Sequence, residues 1–503
     1  MTKTPTTKTI DIVQKLWNLC NDLRDDGVTY HQYVTELTYL LFLKMAKETG
    51  QEEGRDGKPN LPEGMRWDDL LVKSPPERLD HYRQTLLNLG KAQAPLVRQI
   101  YADASSFIRK PTTLSKLVSD IDALDWYSVD KEGLGDLYEG LLAKNANEKK
   151  SGAGQYFTPR PLIDSIVAVM KPTSEDTIQD PAAGTGGFLI AAHHYIVTHE
   201  NEYDWPEQKQ QAYYERAFHG MELVPDTQRL ALMNLMLHGL ANDPERSGIR
   251  LGDTLSDDHT KLPKSTLILS NPPFGTKKGG GMPTRDDLTY QTSNKQFAFL
   301  QHIYRALKAH GRAAVVLPDN VLFESGIGKQ IRADLMDKCN LHTILRLPTG
   351  IFYAQGVKTN VLFLTRGSSD KGNTKEVWVY DMRANMPQFG KRTPFTRDYF
   401  ADFEAAYGDD PYGDPDALAA RVDTGEEGRF RCFDREFIRE SKGDSLDISW
   451  LKDDSLESGE LPEPSALAEE AIVELSAAME ELRAILLELG EDASVLEEAG
   501  VLT

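Results

Sequence analysis

Asp180-Pro-Ala-Ala-Gly-Thr-Gly-Gly-Phe188 decides how the rest of the chain is read. A short β-prone run, Thr177-Ile-Gln179, leads into it, and an apolar helix-prone run from Phe188 to His199 follows. Only small residues stand between them, so the backbone can turn tightly and approach a ligand closely. Gly184, Gly186 and Gly187 lie closer together than the glycines of the dinucleotide pattern G-x-G-x-x-G. The turn therefore predicts a nucleotide-like ligand without a pyrophosphate, whose polar end meets Asp180 and the loop amides.

On either side the periodicity alternates between strand and helix. Further strands are expected at 218–221, 266–270, 313–317 and 342–347, with a helix over 227–238. Runs at 359–365 and 376–380, joined by the polar stretch 367–375, read as a hairpin closing the sheet. Such alternation implies an α/β fold with a mainly parallel sheet covered on both faces, and sites at the carboxyl ends of its strands. Residues 8–143 read as mostly helical, with apolar stripes at Ile10, Val13, Leu16, Trp17 and Cys20, at Tyr33, Leu37, Leu40 and Leu41, and at Leu134, Leu137, Leu141 and Leu142. A charged, glycine-containing connector at 144–154 marks a boundary. Three domains are expected: a helical one over 1–150, a catalytic one over 151–400, and an acidic extension over 401–503. In the extension, Ile472, Leu475, Met479, Leu482, Leu486 and Leu489 form a heptad seam within a helix at 465–489. That seam suits packing on its own domain or contact with a protein partner.

Charge is unevenly placed. The net charge is −21, yet residues 401–503 hold 29 Asp/Glu against 8 Lys/Arg, and the preceding 400 residues hold 49 of each sign. Only the C-terminal fifth should repel phosphate. Cys20, Cys339 and Cys432 are odd in number and lack metal-ligand spacing, so no metal site and a reduced cytoplasmic setting are expected. The N-terminus shows no apolar signal region, and no stretch such as Tyr39-Leu-Leu-Phe-Leu43 is long enough to span a membrane.

Two acids follow later strands as Asp180 follows the first. Glu222 ends the run 218–221 at the position where an acid meets ribose hydroxyls, and Asp253, in Arg250-Leu-Gly-Asp-Thr254, can accept from an adenine amino group. The strand at 266–270 runs directly into Asn271-Pro-Pro-Phe274. Pro272 and Pro273 stiffen the backbone and donate no N–H. The Asn271 side-chain oxygen and the Pro272 carbonyl can both accept from a planar amino group, while Phe274 stacks on a base. In that order the two motifs point to methyl transfer from S-adenosylmethionine to an exocyclic amine, on a base flipped out of its duplex. The geometry serves adenine N6 and cytosine N4 alike. Cytosine C5 chemistry is excluded, because it needs a cysteine nucleophile and none lies near either motif. The basic, glycine-rich stretch 275–294 reads as a loop that orders on DNA.

These motifs, with Gly154-Gln-Tyr-Phe-Thr-Pro-Arg160, Gly220-Met-Glu-Leu223, Met233-Asn-Leu-Met-Leu-His-Gly239 and Leu347-Pro-Thr-Gly-Ile-Phe352, resemble the modification subunit of type I restriction–modification systems over nearly the whole chain. The resemblance implies a Rossmann-like S-adenosylmethionine-dependent methyltransferase sheet with an N-terminal helical domain and a C-terminal helical extension. It assigns Gln155, Tyr156, Phe157, Thr158, Pro159 and Arg160 to the methionine end of the cofactor. Asp180, Pro181, Ala183, Gly184, Thr185, Gly186, Gly187, Glu222 and Asp253 complete the cofactor set, and Asn271, Pro272, Pro273 and Phe274 are the catalytic set. It also favours adenine N6. Implied partners are DNA, a specificity subunit shared by two copies of this chain, and a restriction subunit. Neither a P-loop nor a nuclease cluster is present, so cleavage falls to another chain. A stand-alone methyltransferase of protein glutamine or RNA, and a non-enzymatic scaffold, are the competing readings.

Overall fold

The computed structural model describes residues 30–53, 59–124, 158–240, 247–275, 282–352, 357–387, 389 and 393–452, together with Lys15 and Leu19. The first apolar stripe, the leucines at 134–142, the connector at 144–154 and the heptad helix at 465–489 lie outside the described residues. The chain forms two compact units, one of Met1–Phe157 with Pro172–Pro263, the other of Thr158–Lys171 with Lys264–Thr503.

The first unit begins with helices Tyr30–Glu48, Trp67–Leu71, Pro75–Leu89, Pro95–Ile100 and Pro111–Asp122. Leu40, Phe42, Leu43, Trp67, Tyr82, Leu86 and Leu117 fill their common core. Lys44, which ends the apolar run in the sequence, is itself buried; its ammonium reaches Glu48 at 2.6 Å and Asp122 at 2.9 Å. Asp122 also accepts from the Trp67 indole at 2.8 Å, so one carboxylate ties three helices. Burial of a charged amine is tolerable only with such partners. In the same unit, β1 (Ile178–Asp180), β2 (Phe218–Glu222) and β3 (Gly248–Leu251) run parallel, β2 between the other two. Helix Pro225–Leu237 packs on both layers: Arg229 donates to the Ala102 carbonyl at 3.0 Å and lies over the Tyr39 ring.

The second unit is built on β4 (Ser265–Ser270), β5 (Leu307–Pro318), β6 (Cys339–Arg346), β7 (Thr359–Arg366), β8 (Glu376–Asp381) and β9 (Phe430–Asp434). From β4 the order is β4-β5-β7-β6-β8-β9. Strands β4 and β5 are parallel, as are β6 and β8, but β7 runs antiparallel to β5 and β6, and β9 antiparallel to β8. The expected hairpin between 359–365 and 376–380 is therefore wrong. Val361, Leu362, Phe363 and Leu364 are all buried, each contributing roughly 1.5–3 kcal/mol, and β7 secures this by inserting between two strands. The 367–375 link then carries β8 to the far side of β6. Residues after 400 also contribute, since β9 pairs along β8 and helix Ala401–Tyr407 packs Phe403 and Tyr407 against Phe363.

Helix Arg160–Met170 belongs to this second unit. Leu162, Ile166, Val167 and Met170 form its buried face. It ends at Lys171, whose φ of 44° is left-handed. The buried Arg312 of β5 donates Nε to the Met170 carbonyl and a second nitrogen to the Lys171 carbonyl, each at 2.9 Å. A cation there satisfies carbonyls that the helix cannot and complements its dipole. No helix among the described residues is long and apolar enough to cross a membrane.

Candidate active site

At the carboxyl end of β1, the buried Asp180 folds its chain into the glycine turn by accepting from the Ala182 amide at 3.0 Å. The Ala183 amide donates to the Met221 carbonyl at 2.9 Å, and the Gly184 amide to Glu222 Oε2 at 3.0 Å. With the Gly186 amide bonded to the Ala183 carbonyl at 2.8 Å, four loop amides shape the turn itself. Gly184 and Gly186 take φ of 55° and 84°, where a side chain would be strained. Nothing lies within 4 Å of the place a Cβ on Gly184 would occupy, so that face is open. Gly187 opens helix Gly187–His199.

Glu222 uses its second oxygen to accept from the Val224 amide at 2.9 Å. Burial pushes its carboxyl above the ordinary value near 4.5, against the pull of the amides of Val224, Gly184 and Leu223. Asp253 follows β3 and is held on both flanks: the Gly252 amide donates to the Glu222 carbonyl at 3.0 Å, and the Thr254 hydroxyl to the Pro181 carbonyl at 2.6 Å. The three acids predicted from the sequence thus stand at three neighbouring strand ends. Their carboxylates can accept from hydroxyls, an ammonium or an adenine amine. Leu223 and Val224, 62% and 45% exposed, offer apolar surface beside them.

Sequence reasoning missed two supports of this turn. A Cβ on Gly220 would come within 2.8 Å of Ile249 Cγ1 and 3.0 Å of Ala183 Cβ, so only glycine lets β2 pass this close. Asn234, fully buried on helix Pro225–Leu237, donates Nδ2 to the Thr185 carbonyl at 3.1 Å. An asparagine in the apolar run 230–237 of that helix was the available signal, since a buried amide needs a polar partner.

In the second unit, β4 delivers Asn271 at its carboxyl end, and Asn271 and Pro272 are buried while Pro273 and Phe274 are half-buried. Asn271 Nδ2 donates to Thr158 Oγ1 at 2.9 Å, one residue before the N-cap Pro159 of helix Arg160–Met170. With Nδ2 toward Thr158, Oδ1 lies on the other side of the amide. Arg160 pairs with Asp164 one helical turn on, at 2.9 Å. Gln155, Tyr156 and Phe157 lie outside the described residues, as do 276–281 of the expected DNA loop. The basic residue ending that loop's charged part is not available to phosphate. Arg285 is buried, bonded twice to Asp287 at 2.8 and 2.7 Å and once to His302 at 2.8 Å. Cys339 and Cys432 are poor nucleophiles, burial pushing both thiols up to about 12. Among the described residues no cluster of His, Cys, Asp or Glu could hold a metal ion.

The profile of the N-6 DNA Methylase family matches residues 129–427, and that of the HsdM N-terminal domain residues 12–121. The chain belongs to the N-6 DNA methylase family. It is 52% identical over 511 residues to the type I restriction enzyme EcoKI methylase subunit of Escherichia coli (strain K12), with 95% of each chain covered. Among solved structures, the EcoKI M protein is 46% identical, with 98% of this chain and 99% of that chain covered and a TM-score of 0.56. A chain from work on complex assembly and conformational transition of the type I R-M system is 25% identical, covers 96% and 98%, and has a TM-score of 0.70. This member of the N-6 DNA methylase family is an S-adenosylmethionine-dependent, adenine-specific DNA methyltransferase subunit of the type I class. The stand-alone protein or RNA methyltransferase and the inert scaffold fall with that result. The first unit's acids and the open face of Gly184 suit the cofactor, which offers hydroxyls, an ammonium and an adenine amine but no phosphate.

Proposed function

We propose that Asn271, Pro272, Pro273 and Phe274 hold a flipped adenine while its N6 takes the methyl group. Asn271 Oδ1 and the Pro272 carbonyl accept from the two N6 hydrogens, drawing the nitrogen lone pair out of conjugation. Phe274 covers the base, a stacking contact worth roughly 1–3 kcal/mol. Bound S-adenosylmethionine supplies an electrophilic methyl carbon on a sulfonium. Asp180, Glu222 and Asp253, with Pro181, Ala183 and the turn Gly184–Gly187, hold its polar groups, and Gln155–Arg160 fold against its methionine end. The protein's share of the work is positioning, with no covalent enzyme intermediate. The observation that carries this assignment is the bond from Asn271 Nδ2 to Thr158 Oγ1, which supports Oδ1 as the end of the amide that meets an amine donor.

The relatives are by name methylase subunits of type I restriction enzymes, and this supports the same assembly here. Two copies of this chain would flank one specificity subunit that selects the DNA sequence, and a restriction subunit would complete the complex. Such an enzyme works in the cytoplasm, on host DNA. Tritiated cofactor with the chain alone and with its specificity subunit provides the test. Methyl should enter DNA only with the partner present. Asn271→Ala should abolish transfer yet leave cofactor affinity within a few-fold, whereas equal loss of both would make the motif structural.

A further inference from the structure

The backbone leaving Asn271-Pro-Pro-Phe274 is gripped at Gly275 from both sides. Its amide donates to Gln296 Oε1 at 2.9 Å, and its carbonyl accepts from the Lys295 amide at 3.1 Å. Gln296 is 3% exposed, and its Nε2 donates to Asn320 Oδ1 at 3.2 Å. Asn320 Nδ2 donates to Glu324 Oε2 at 2.9 Å, and the same oxygen accepts from Asn294 Nδ2 at 3.2 Å. Asn294 in turn caps helix Lys295–Ala306 by accepting from the Phe297 amide.

Direction in this chain of amides is not free. A backbone N–H at one end can only donate, and a carboxylate at the other can only accept. Both side-chain amides between them therefore have one allowed orientation. Since Pro272 and Pro273 carry no N–H, Gly275 is among the first backbone donors after Asn271 through which the exit of the tetrapeptide can be held. Its entry is held by β4 and Thr158. Phe274 sits between these anchors, half-buried.

We propose that Gln296, oriented by Asn320 and Glu324, is a positioning residue for methyl transfer: it fixes Gly275 and so the place of Phe274 against the flipped base. This rests on the assignment of Asn271–Phe274 as the base site. Gln296→Leu removes both bonds. Gln296→Glu keeps an acceptor for Gly275 but sets a second acceptor against Asn320 Oδ1. Adding Glu324→Gln supplies a donor that lets Asn320 turn over, reversing the chain at the cost of the Asn294 contact.

The variants are assayed in the complex with the specificity subunit, on a duplex carrying 2-aminopurine at the target position. Gln296→Leu and Gln296→Glu should each lower kcat between about ten- and a hundred-fold and weaken the fluorescence rise on flipping. Affinity for S-adenosylmethionine should stay within about two-fold, because neither bond made by Gln296 involves a residue of the cofactor set. Glu324→Gln should recover about five-fold of the Gln296→Glu loss. A kcat for Gln296→Leu within about two-fold of the parent, a parallel fall in cofactor affinity, or a double variant no better than Gln296→Glu would each overturn the proposal. Should Gln296→Leu fail to fold, the comparison of Gln296→Glu with and without Glu324→Gln decides alone. Asn271→Ala is run beside them. If it still transfers methyl, the base-site assignment fails; if it is inert while the Gln296 variants match the parent, only the positioning role fails.

Discussion

At the scale of single residues, burial raises the Glu222 carboxyl, although three backbone amides favour its ionised form. Its ionisation therefore costs the cofactor-free chain folding free energy at neutral pH. Its stabilising contribution is complete below the unfolded-state pKa and is lost as pH rises through the higher folded one. Cofactor binding has the opposite sign, because ribose hydroxyls need the carboxylate as acceptor. Affinity for S-adenosylmethionine should therefore weaken as pH falls, starting above the pH at which an ordinary glutamate protonates. Calorimetric titration of the cofactor across mildly acidic pH checks this, with Glu222→Gln as the flat reference. A profile that Glu222→Gln leaves unchanged would exclude Glu222 as the titrating group. The positions of Asp180, Glu222, Asp253 and Asn271 were legible in the sequence because each stands at the end of a short strand-prone run or just after one. What was hidden is what holds them. Asn234, Thr254 and Gln296 act through partners 49, 73 and 21 residues away, and Gly220 through close backbone passage; no local pattern records that.

At the scale of elements, strand positions were readable and strand pairing was not. The run 359–365 has the same burial signature in a hairpin as between two strands, so periodicity could not tell that β7 would enter between β5 and β6. Helix Arg160–Met170 makes the same point: its stop depends on Arg312, far along the chain. Arg312→Leu leaves the Met170 and Lys171 carbonyls without their donors, and should cost about 2–4 kcal/mol of unfolding free energy. Urea titration measures it, and a loss under about 0.5 kcal/mol would deny the cap its role. Because Thr158 precedes this helix, the variant should also lower methyl transfer through Asn271.

At the scale of the whole molecule, the chain passes from one unit to the other three times, between Phe157 and Thr158, Lys171 and Pro172, and Pro263 and Lys264. Fragment 264–503 carries Asn271–Phe274 but lacks the helix that supplies Thr158. It should melt without cooperativity and regain a sharp transition when a peptide spanning 158–171 is added, as followed by near-ultraviolet circular dichroism. A sharp transition of the fragment alone would show the helix to be dispensable. During synthesis the same arrangement imposes a delay. Arg312 lies 142 residues after the Met170 carbonyl it caps. At translation rates of about 5–20 residues per second, the helix waits roughly 7–30 s outside the ribosome for that partner. Until then Leu162, Ile166 and Val169 lack β5 and helix Ala401–Tyr407, on which this helix packs, and stand as apolar surface on the nascent chain long before it is an enzyme.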